Sequence, residues 1–423
     1  MRVLQINTRY KYGGSTGRIA YDIKNISESN DIEAYCAYGF EFVAMDEPGT
    51  MRIESALELT VSKVRSRIFG VHGFYSEFAT RKLLGWIDEL QPDVIHLHNI
   101  HNHYVNCRML FDYIKARNIP VVWTLHDCWS FTGHCAYFDY SGCDRWKTEC
   151  HSCPCKGDYP YAWFSAGAKK AWNKKKDVFC GVDNLVLCPP SRWLGELVRE
   201  SFLKEYPVRV INNGVDVELF KPMTDLDEVR IRYGLAGKTV YLAMMNILEK
   251  RKGISCLKAI PERLADDEIL VIVGLSDKDR AYFPREKCMI INRTDSIAEL
   301  VSLYNIASCF INTTLEDNFP TTNIEALSCG TPVVTFKTGG SSECVEDCEE
   351  LKAEGSVTWS SVGAVVPQGD VDSMLKAART FRDGGKSHYI EPCRHKAMER
   401  YNKNTQYLKY IDLYKQLAAD GKR

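Results

Sequence analysis

The chain has 423 residues, 45% of them hydrophobic and 26% charged, with a formal net charge of −1. That length exceeds one ordinary hydrophobic core and predicts two globular domains, while the near-neutral charge gives no electrostatic footing for nucleic acid as a main partner. No apolar run approaches the roughly 18 residues of a membrane span, and Met1–Asn7 enters a strand pattern with no signal-peptide character, so a cytoplasmic location is expected.

In chain order, a strand over Val3–Ile6 leads into a loop, Tyr10–Gly17, and a helix beginning near Arg18. Gly13, Gly14 and Gly17 would let a ligand approach the backbone before a helix N-terminus, and would equally suit a tight βα connection. Residues 41–90 read as mostly helical. Asp93–His98 reads as a buried parallel strand, and Pro120–Asp127 as the next, closed by His126 at the carboxyl edge where sites in α/β sheets gather. His96, His98, His101 and His103 form a tract of the kind that can bind metal, but with no acidic or Cys ligand among them they read as core or cleft-lining residues.

Seventeen cysteines are many for a chain of this type, and six fall between Cys128 and Cys155. Cys135, Cys143, Cys150 and Cys153 would supply the four thiolates of a closed structural zinc site; free, partly buried cysteines in an insertion are the alternative. A metal would explain how a loop of about 30 residues is held without a core of its own. Lys169, Lys170, Lys174, Lys175 and Lys176, interleaved with Trp172 and Phe179, predict a solvated basic helix face or a contact with a membrane surface.

Leu185–Ser191 closes the first half and Val208–Asp216 begins the second. Strand patterns follow at Thr239–Met245, Ile269–Val273, Met289–Ile291, Ser308–Asn312, Val333–Phe336 and Ala364–Val366, with helical patterns between them. The fold class is therefore α/β, with two doubly wound parallel sheets. A last helix spans roughly Pro392–Ala419. Lys252, next to Gly253 after a strand, is well placed to hold a diphosphate, whereas Glu249 and Lys250 read as a solvated turn. Asp317–Pro332 squeezes a helix between two strands: Pro320 suits the entrance, Thr322 and Glu325 could form a capping box, and Gly330 supplies the stop. Asp317 and Glu325 stand eight residues apart about a helix start that favours anions, so sugar hydroxyls are their natural partners; a turn and a cap are the plainer use of the same residues.

The stretch Asp317 to Glu325, with its tail Glu325-Ala-Leu-Ser-Cys-Gly-Thr-Pro-Val-Val334, resembles the acid-x7-acid signature of retaining GT-B glycosyltransferases of family GT4. Asp317 stands where that family usually has Glu, and Glu316 competes for the place at a different interval. His126-Asp127, the first Gly-rich loop, Val208–Asp216, Gly274 after its strand, Arg293-Thr294 and Thr338–Glu343 follow in the family's order, so the resemblance covers essentially the whole chain. The Cys-rich segments resemble a polysaccharide-biosynthesis subgroup of the colanic-acid transferase type.

The resemblance implies two Rossmann-like domains facing across a cleft. Residues 1–205 would take the acceptor, with the Cys-rich insertion (about 128–160) walling that side and a C-terminal helix (about 395–423) joining them; residues 206–394 would bind the nucleotide sugar. It implies retaining transfer of a sugar from a UDP- or GDP-sugar to a glycan or lipid-linked acceptor, with no metal in the chemistry. Lys252 would stabilise the leaving diphosphate with Thr321 and Thr322 at the helix start, Asp317 would hold sugar hydroxyls, Glu325 the ribose, and His126 the donor sugar. Gly14, Asn246, Gly274 and Arg293 would line the nucleotide site, and His98 and Asn99 would meet the acceptor. Asn246 departs from the family's Arg, and Arg251 is the residue that could replace its charge. A nucleotide-sugar epimerase, a glycan phosphorylase and a zinc-ribbon binding protein are the rival readings.

Overall fold

The computed structural model describes residues 1–12, 14–40, 47–53, 56–163, 167–245, 248–346 and 356–420. They form two compact units, Met1–Asn212 with Gln406–Arg423, and Asn213–Thr405.

The first unit begins with β1 (Arg2–Asn7), α1 (Gly14–Glu28), β2 (Glu33–Tyr38), β3 (Thr50–Arg52), α2 (Ala56–Phe69) and α3 (Glu77–Leu90). It continues with β4 (Val94–Leu97), α4 (Cys107–Arg117), β5 (Val121–Thr124), α5 (Gly167–Phe179), β6 (Leu185–Cys188) and α6 (Arg192–Glu200). Its six strands pair in the order β3-β2-β1-β4-β5-β6, all parallel. Because alternate strand residues point to opposite faces, Leu4, Ile95, Val121 and Leu185 serve one core, and Val3, Val94, Val122 and Val186 serve another.

The second unit contains α7 (Asp227–Arg232), β7 (Thr239–Met244), α8 (Ile254–Ala259), β8 (Glu268–Val273), β9 (Cys288–Ile291), α9 (Ile297–Ile306) and β10 (Cys309–Asn312). Then come α10 (Thr321–Ser328), β11 (Val333–Phe336), β12 (Thr358–Ser360), β13 (Gly363–Val366), α11 (Val371–Asp383) and α12 (Ser387–Arg400). The strand order is β12-β13-β11-β10-β7-β8-β9, and only β12 runs antiparallel. Val240, Leu242 and Phe310 pack on one face; Tyr241, Ala243 and Ile311 pack on the other. The last helix, α13 (Lys403–Asp420), lies mostly in the first unit, where Tyr407, Tyr410 and Tyr414 join the core under Val3 and Val94.

Several expectations are corrected. The first helix starts at Gly14, four residues before Arg18, so Gly17 is a buried helical residue against the Tyr10 backbone. Residues 41–90 include a short strand, β3. The long C-terminal helix is two helices, broken where Tyr401 O accepts from Val215 N–H and Lys403 N–H donates to Val215 O. The first unit extends to Asn212 because Arg209 and Ile211 N–H groups still bond Leu187 and Pro189 carbonyls.

The lysine cluster is not simply a solvated face either. Lys175 is fully buried on α5, its Nζ donating to the Trp129 and Thr132 carbonyls at 2.6 and 3.0 Å and standing 3.6 Å over the Trp129 ring. Burial lowers its pKa to about 7. No helix among the described residues is long and apolar enough to cross a membrane.

Candidate active site

In the second unit, site residues gather where β7 and β10 end. The turn after β7 carries Lys252, and Gly253 behind it has φ 69; a Cβ there would meet Thr313 O at 1.8 Å. The Thr313 hydroxyl donates to Lys252 O, and Leu315 N–H to Arg251 O, so this turn is tied to the loop after β10. That loop delivers Asp317. Lys252 Nζ donates to Asp317 Oδ2 at 2.5 Å, with both side chains about four-fifths buried. Burial pushes the Asp317 carboxyl up, but Lys252 and Arg251 outweigh it and hold the pKa below the ordinary value. Gly339, at φ 49, brings the turn after β11 against the same residue: a Cβ would meet Asp317 O at 2.2 Å, and Gly340 N–H donates to that carbonyl at 3.0 Å.

Arg251 thus contributes charge to Asp317, while its Nε donates to Glu249 at 2.8 Å. Glu316, the competing acid, is buried with no exposed surface. Asn246 lies outside the described residues, as does Gly13.

The expected capping box is absent. Pro320 is the N-cap of α10, no side chain caps the helix, and Thr321 and Thr322 lie inside its first turn. Proline offers no side-chain acceptor, so the leading amides of α10 keep their capacity for an anion. Glu325, half-buried one turn on, instead accepts a hydrogen bond from Tyr304 OH at 2.7 Å. Tyr304 has no exposed surface, and burial first, then Glu325, drives its pKa far up. Nothing in the apolar pattern of α9 marks this tyrosine as a site residue. Gly274 follows β8 at φ 108, and Arg293 is exposed after β9. A cation, an uncapped helix start and two acids can together hold a phosphate beside a polyhydroxylated group.

In the first unit the four histidines separate by role. His96 bonds the Tyr414 hydroxyl at 2.5 Å and Thr124 Oγ1 at 2.8 Å, which anchors α13. His98 lies between Gln5 Oε1 (2.9 Å) and His126 Nε2 (3.0 Å). β5 ends at Thr124, two residues before His126, whose pKa burial lowers to about 4. His101 Nε2 lies 2.8 Å from Asp127 Oδ2, and His103 Nδ1 3.2 Å from Ser66 Oγ. Gly14 opens α1 at φ 84 with open space where a Cβ would stand.

The insertion has its own aromatic core: Phe131, Phe138 and Trp146 pack together, and Trp172 Nε1 donates to Trp146 O at 2.9 Å. It is therefore ordered by packing as well as by any metal. The Cys135 thiol is in hydrogen-bonding reach of Cys153 and Cys155, whereas Cys150 Sγ accepts from Gly133 N–H at 3.1 Å and Cys143 is half-buried. Among the described residues no group of three or more His, Cys, Asp or Glu side chains is arranged to hold a metal ion.

Comparison with known proteins agrees with this architecture. Residues 225–395 match the family model for glycosyl transferases group 1, and residues 40–219 that for glycosyltransferase family 4. The putative colanic acid biosynthesis glycosyl transferase WcaC of Escherichia coli K12 is 24% identical over 368 residues, covering 82% of this chain and 85% of that protein. Among solved structures, sucrose-phosphate synthase from Thermosynechococcus elongatus superposes with a TM-score of 0.69 at 15% identity, covering 99% of this chain and 100% of its own. HepE from Anabaena in complex with UDP gives 0.66 at 15% identity, over 98% and 100%. The two family models cover successive parts of one chain built on two parallel α/β sheets, and the protein belongs to the GT-B glycosyltransferases of the GT4 type.

Proposed function

We propose that this glycosyltransferase moves a hexosyl group from a nucleotide diphosphate sugar to a glycan or lipid-linked acceptor, with retention of configuration, in bacterial surface polysaccharide biosynthesis. The observation that carries the reading is the Lys252–Asp317 pair at 2.5 Å, three residues before a helix start that no side chain caps. Lys252 and the α10 amides at Thr321 and Thr322 stabilise the leaving diphosphate, so the bond-breaking step needs no metal. Asp317 accepts from sugar hydroxyls, Glu325 from the ribose, and His126 meets the donor sugar as a neutral imidazole. Gly14, Gly274 and Arg293 flank the nucleotide. The second unit takes the donor and the first the acceptor, at a cytoplasmic location and peripheral to the membrane.

WcaC is named for colanic acid biosynthesis, and HepE structures hold UDP and UDP-glucose, which supports polysaccharide assembly and makes UDP-sugars the first donors to try, GDP-sugars the next. A structural zinc on Cys135, Cys143, Cys150 and Cys153 belongs to the same proposal, supported by six thiols between Cys128 and Cys155. The test is turnover of UDP- and GDP-sugars with and without methyl glycosides as acceptors. Sugar transfer, or slow hydrolysis to sugar and nucleoside diphosphate, is expected. Conversion of the donor into its epimer, or turnover dependent on inorganic phosphate, would overturn the reading in favour of an epimerase or a phosphorylase.

A further inference from the structure

Surface helices of a globular unit normally turn their apolar stripe to the core; α2 does the reverse. Leu57, Val61 and Val64 recur at helical spacing in one stripe about 60° wide, and they are 80%, 49% and 45% exposed. On the opposite side Ser62 and Ser66 are buried, where Ser62 Oγ accepts from Ser76 Oγ at 2.9 Å and Ser66 Oγ meets His103 Nδ1. The helix is thus held to its unit by hydroxyls and turns apolar side chains to solvent. Aromatic side chains extend the stripe at both ends. Glu58 accepts from the Phe78 and Ala79 N–H groups, each at 2.9 Å, which seats the exposed Phe78 beside the first turn. Trp163 N–H donates to Arg67 O at 2.8 Å beside the last turn, where Trp163 and Phe69 are both exposed. Apolar residues scattered singly over a surface need no explanation, but a run of them along one helix marks a contact surface.

Charge identifies what covers it. Residues 57–82 hold five cations, Lys63, Arg65, Arg67, Arg81 and Lys82, against two acids, Glu58 and Glu77. Both carboxylates are engaged within the surface, Glu58 by the first amides of α3 and Glu77 by Arg65 at 3.8 Å. Helical spacing puts Lys63 and Arg67 on one side of the apolar stripe and Arg65 on the other, where it lies over the Tyr75 ring at 4.3 Å. We infer that α2 and the start of α3 form a docking surface for a bilayer with anionic headgroups, the stripe entering the acyl boundary while the flanking cations meet the phosphates. A second copy of this chain is the poorer occupant, because pairing the face with itself sets like charges together. The α5 lysines lack the apolar half of such a surface, since Trp172 and Phe179 among them are buried. The inference deepens the peripheral location proposed above and rests, for its use, on the lipid-linked acceptor of that reading.

The experiment floats the full chain with vesicles of phosphatidylcholine alone and with vesicles of phosphatidylcholine and phosphatidylglycerol in equal parts. Wild type should bind the mixed vesicles at low salt, bind the neutral ones more weakly by a factor on the order of ten or more, and lose affinity as salt rises. Leu57→Ser combined with Val64→Ser should weaken binding to the mixed vesicles by a factor on the order of ten or more, and Lys63→Ser combined with Arg65→Ser should do the same while flattening the salt dependence. All four side chains are exposed, so melting temperature and transfer to soluble methyl glycosides should not change. In wild type, binding should move the emission of Trp163 to shorter wavelength, a change absent from Trp163→Phe. Equal binding to the two kinds of vesicle, binding to neither, or variants that bind as wild type does would overturn the docking surface. So would a wild-type dimer in the absence of lipid that Leu57→Ser with Val64→Ser converts to monomer. Vesicle binding as expected, with no sugar transfer by wild type to any acceptor, would instead sink the parent reading and uphold the surface.

Discussion

Lys252 Nζ and Asp317 Oδ2 lie 2.5 Å apart, joined across 65 residues by the ends of two neighbouring strands, β7 and β10. The ammonium does two things there. It keeps the carboxylate ionised despite burial, and it supplies a charge for a developing diphosphate. Lys252→Ala should lower turnover by a factor on the order of 10² or more and leave the fold intact, because a charge-assisted contact to the leaving group is lost. Normal turnover in the purified variant would remove Lys252 from the mechanism.

At Glu325 a capping role is already excluded by the helix geometry, so Glu325→Gln isolates its charge. Nucleotide affinity should fall while thermal stability holds. Tyr304→Phe should have a smaller effect in the same direction, since it deletes one donor to the carboxylate, worth about 1 kcal/mol. Calorimetric titration with UDP and GDP reads both; equal dissociation constants across the three proteins would exclude Glu325 from the nucleotide site.

Gly339→Ala should displace Asp317 without removing it. The new Cβ meets the Asp317 carbonyl at 2.2 Å and must also adopt φ 49. Activity is expected to fall more steeply than melting temperature. A fully active Gly339→Ala would mean that the position of Asp317 is not critical.

The first unit should be the acid-labile one. Burial lowers the pKa of His103, His126 and His134 to about 4, and holds those of His72, His96 and His98 well below the ordinary imidazole value of about 6.5. A folded-state value below the unfolded one means that the unfolded chain binds more protons, so stability is fully present above pH 6.5 and is lost as pH falls toward 4. For His103, His126 and His134 the loss by pH 5 is on the order of 2 kcal/mol each. The second unit's His388 and His395 are exposed. Melting at pH 7.5 and pH 5 with unit-specific proteolysis should find the first unit opening early; loss of the second unit first would contradict this.

Elemental analysis of protein purified without chelator tests the cysteine cluster. A closed four-thiolate site predicts about one zinc per chain, lost in Cys135→Ser with increased protease sensitivity near residues 128–160. Metal well below stoichiometry, with that segment still resistant, would leave the Phe131, Phe138 and Trp146 core as what holds it.

Much of the second unit was legible because its strands are short apolar runs bounded by Gly, Pro and Asn, which is how Val333–Phe336 could be read to the residue. Lys252 and Asp317 were legible as separate residues but not as a pair, since pairing depends on β7 and β10 being neighbours. The capping box failed at Thr322 because Pro320 sets the helix entrance earlier. The His101–Asp127 contact was hidden for the same reason as the lysine pair: each residue follows a different strand, and only the β4–β5 register brings their loops together.

The most direct test of the account is nuclear magnetic resonance of UDP- and GDP-sugar turnover by wild type and Lys252→Ala, following the anomeric proton of the product as it forms. The account predicts that one donor is consumed, that the first product keeps the donor's anomeric configuration, and that the variant loses turnover by a factor of about 10² or more. A product of inverted configuration, or equal turnover by the two proteins, would contradict it.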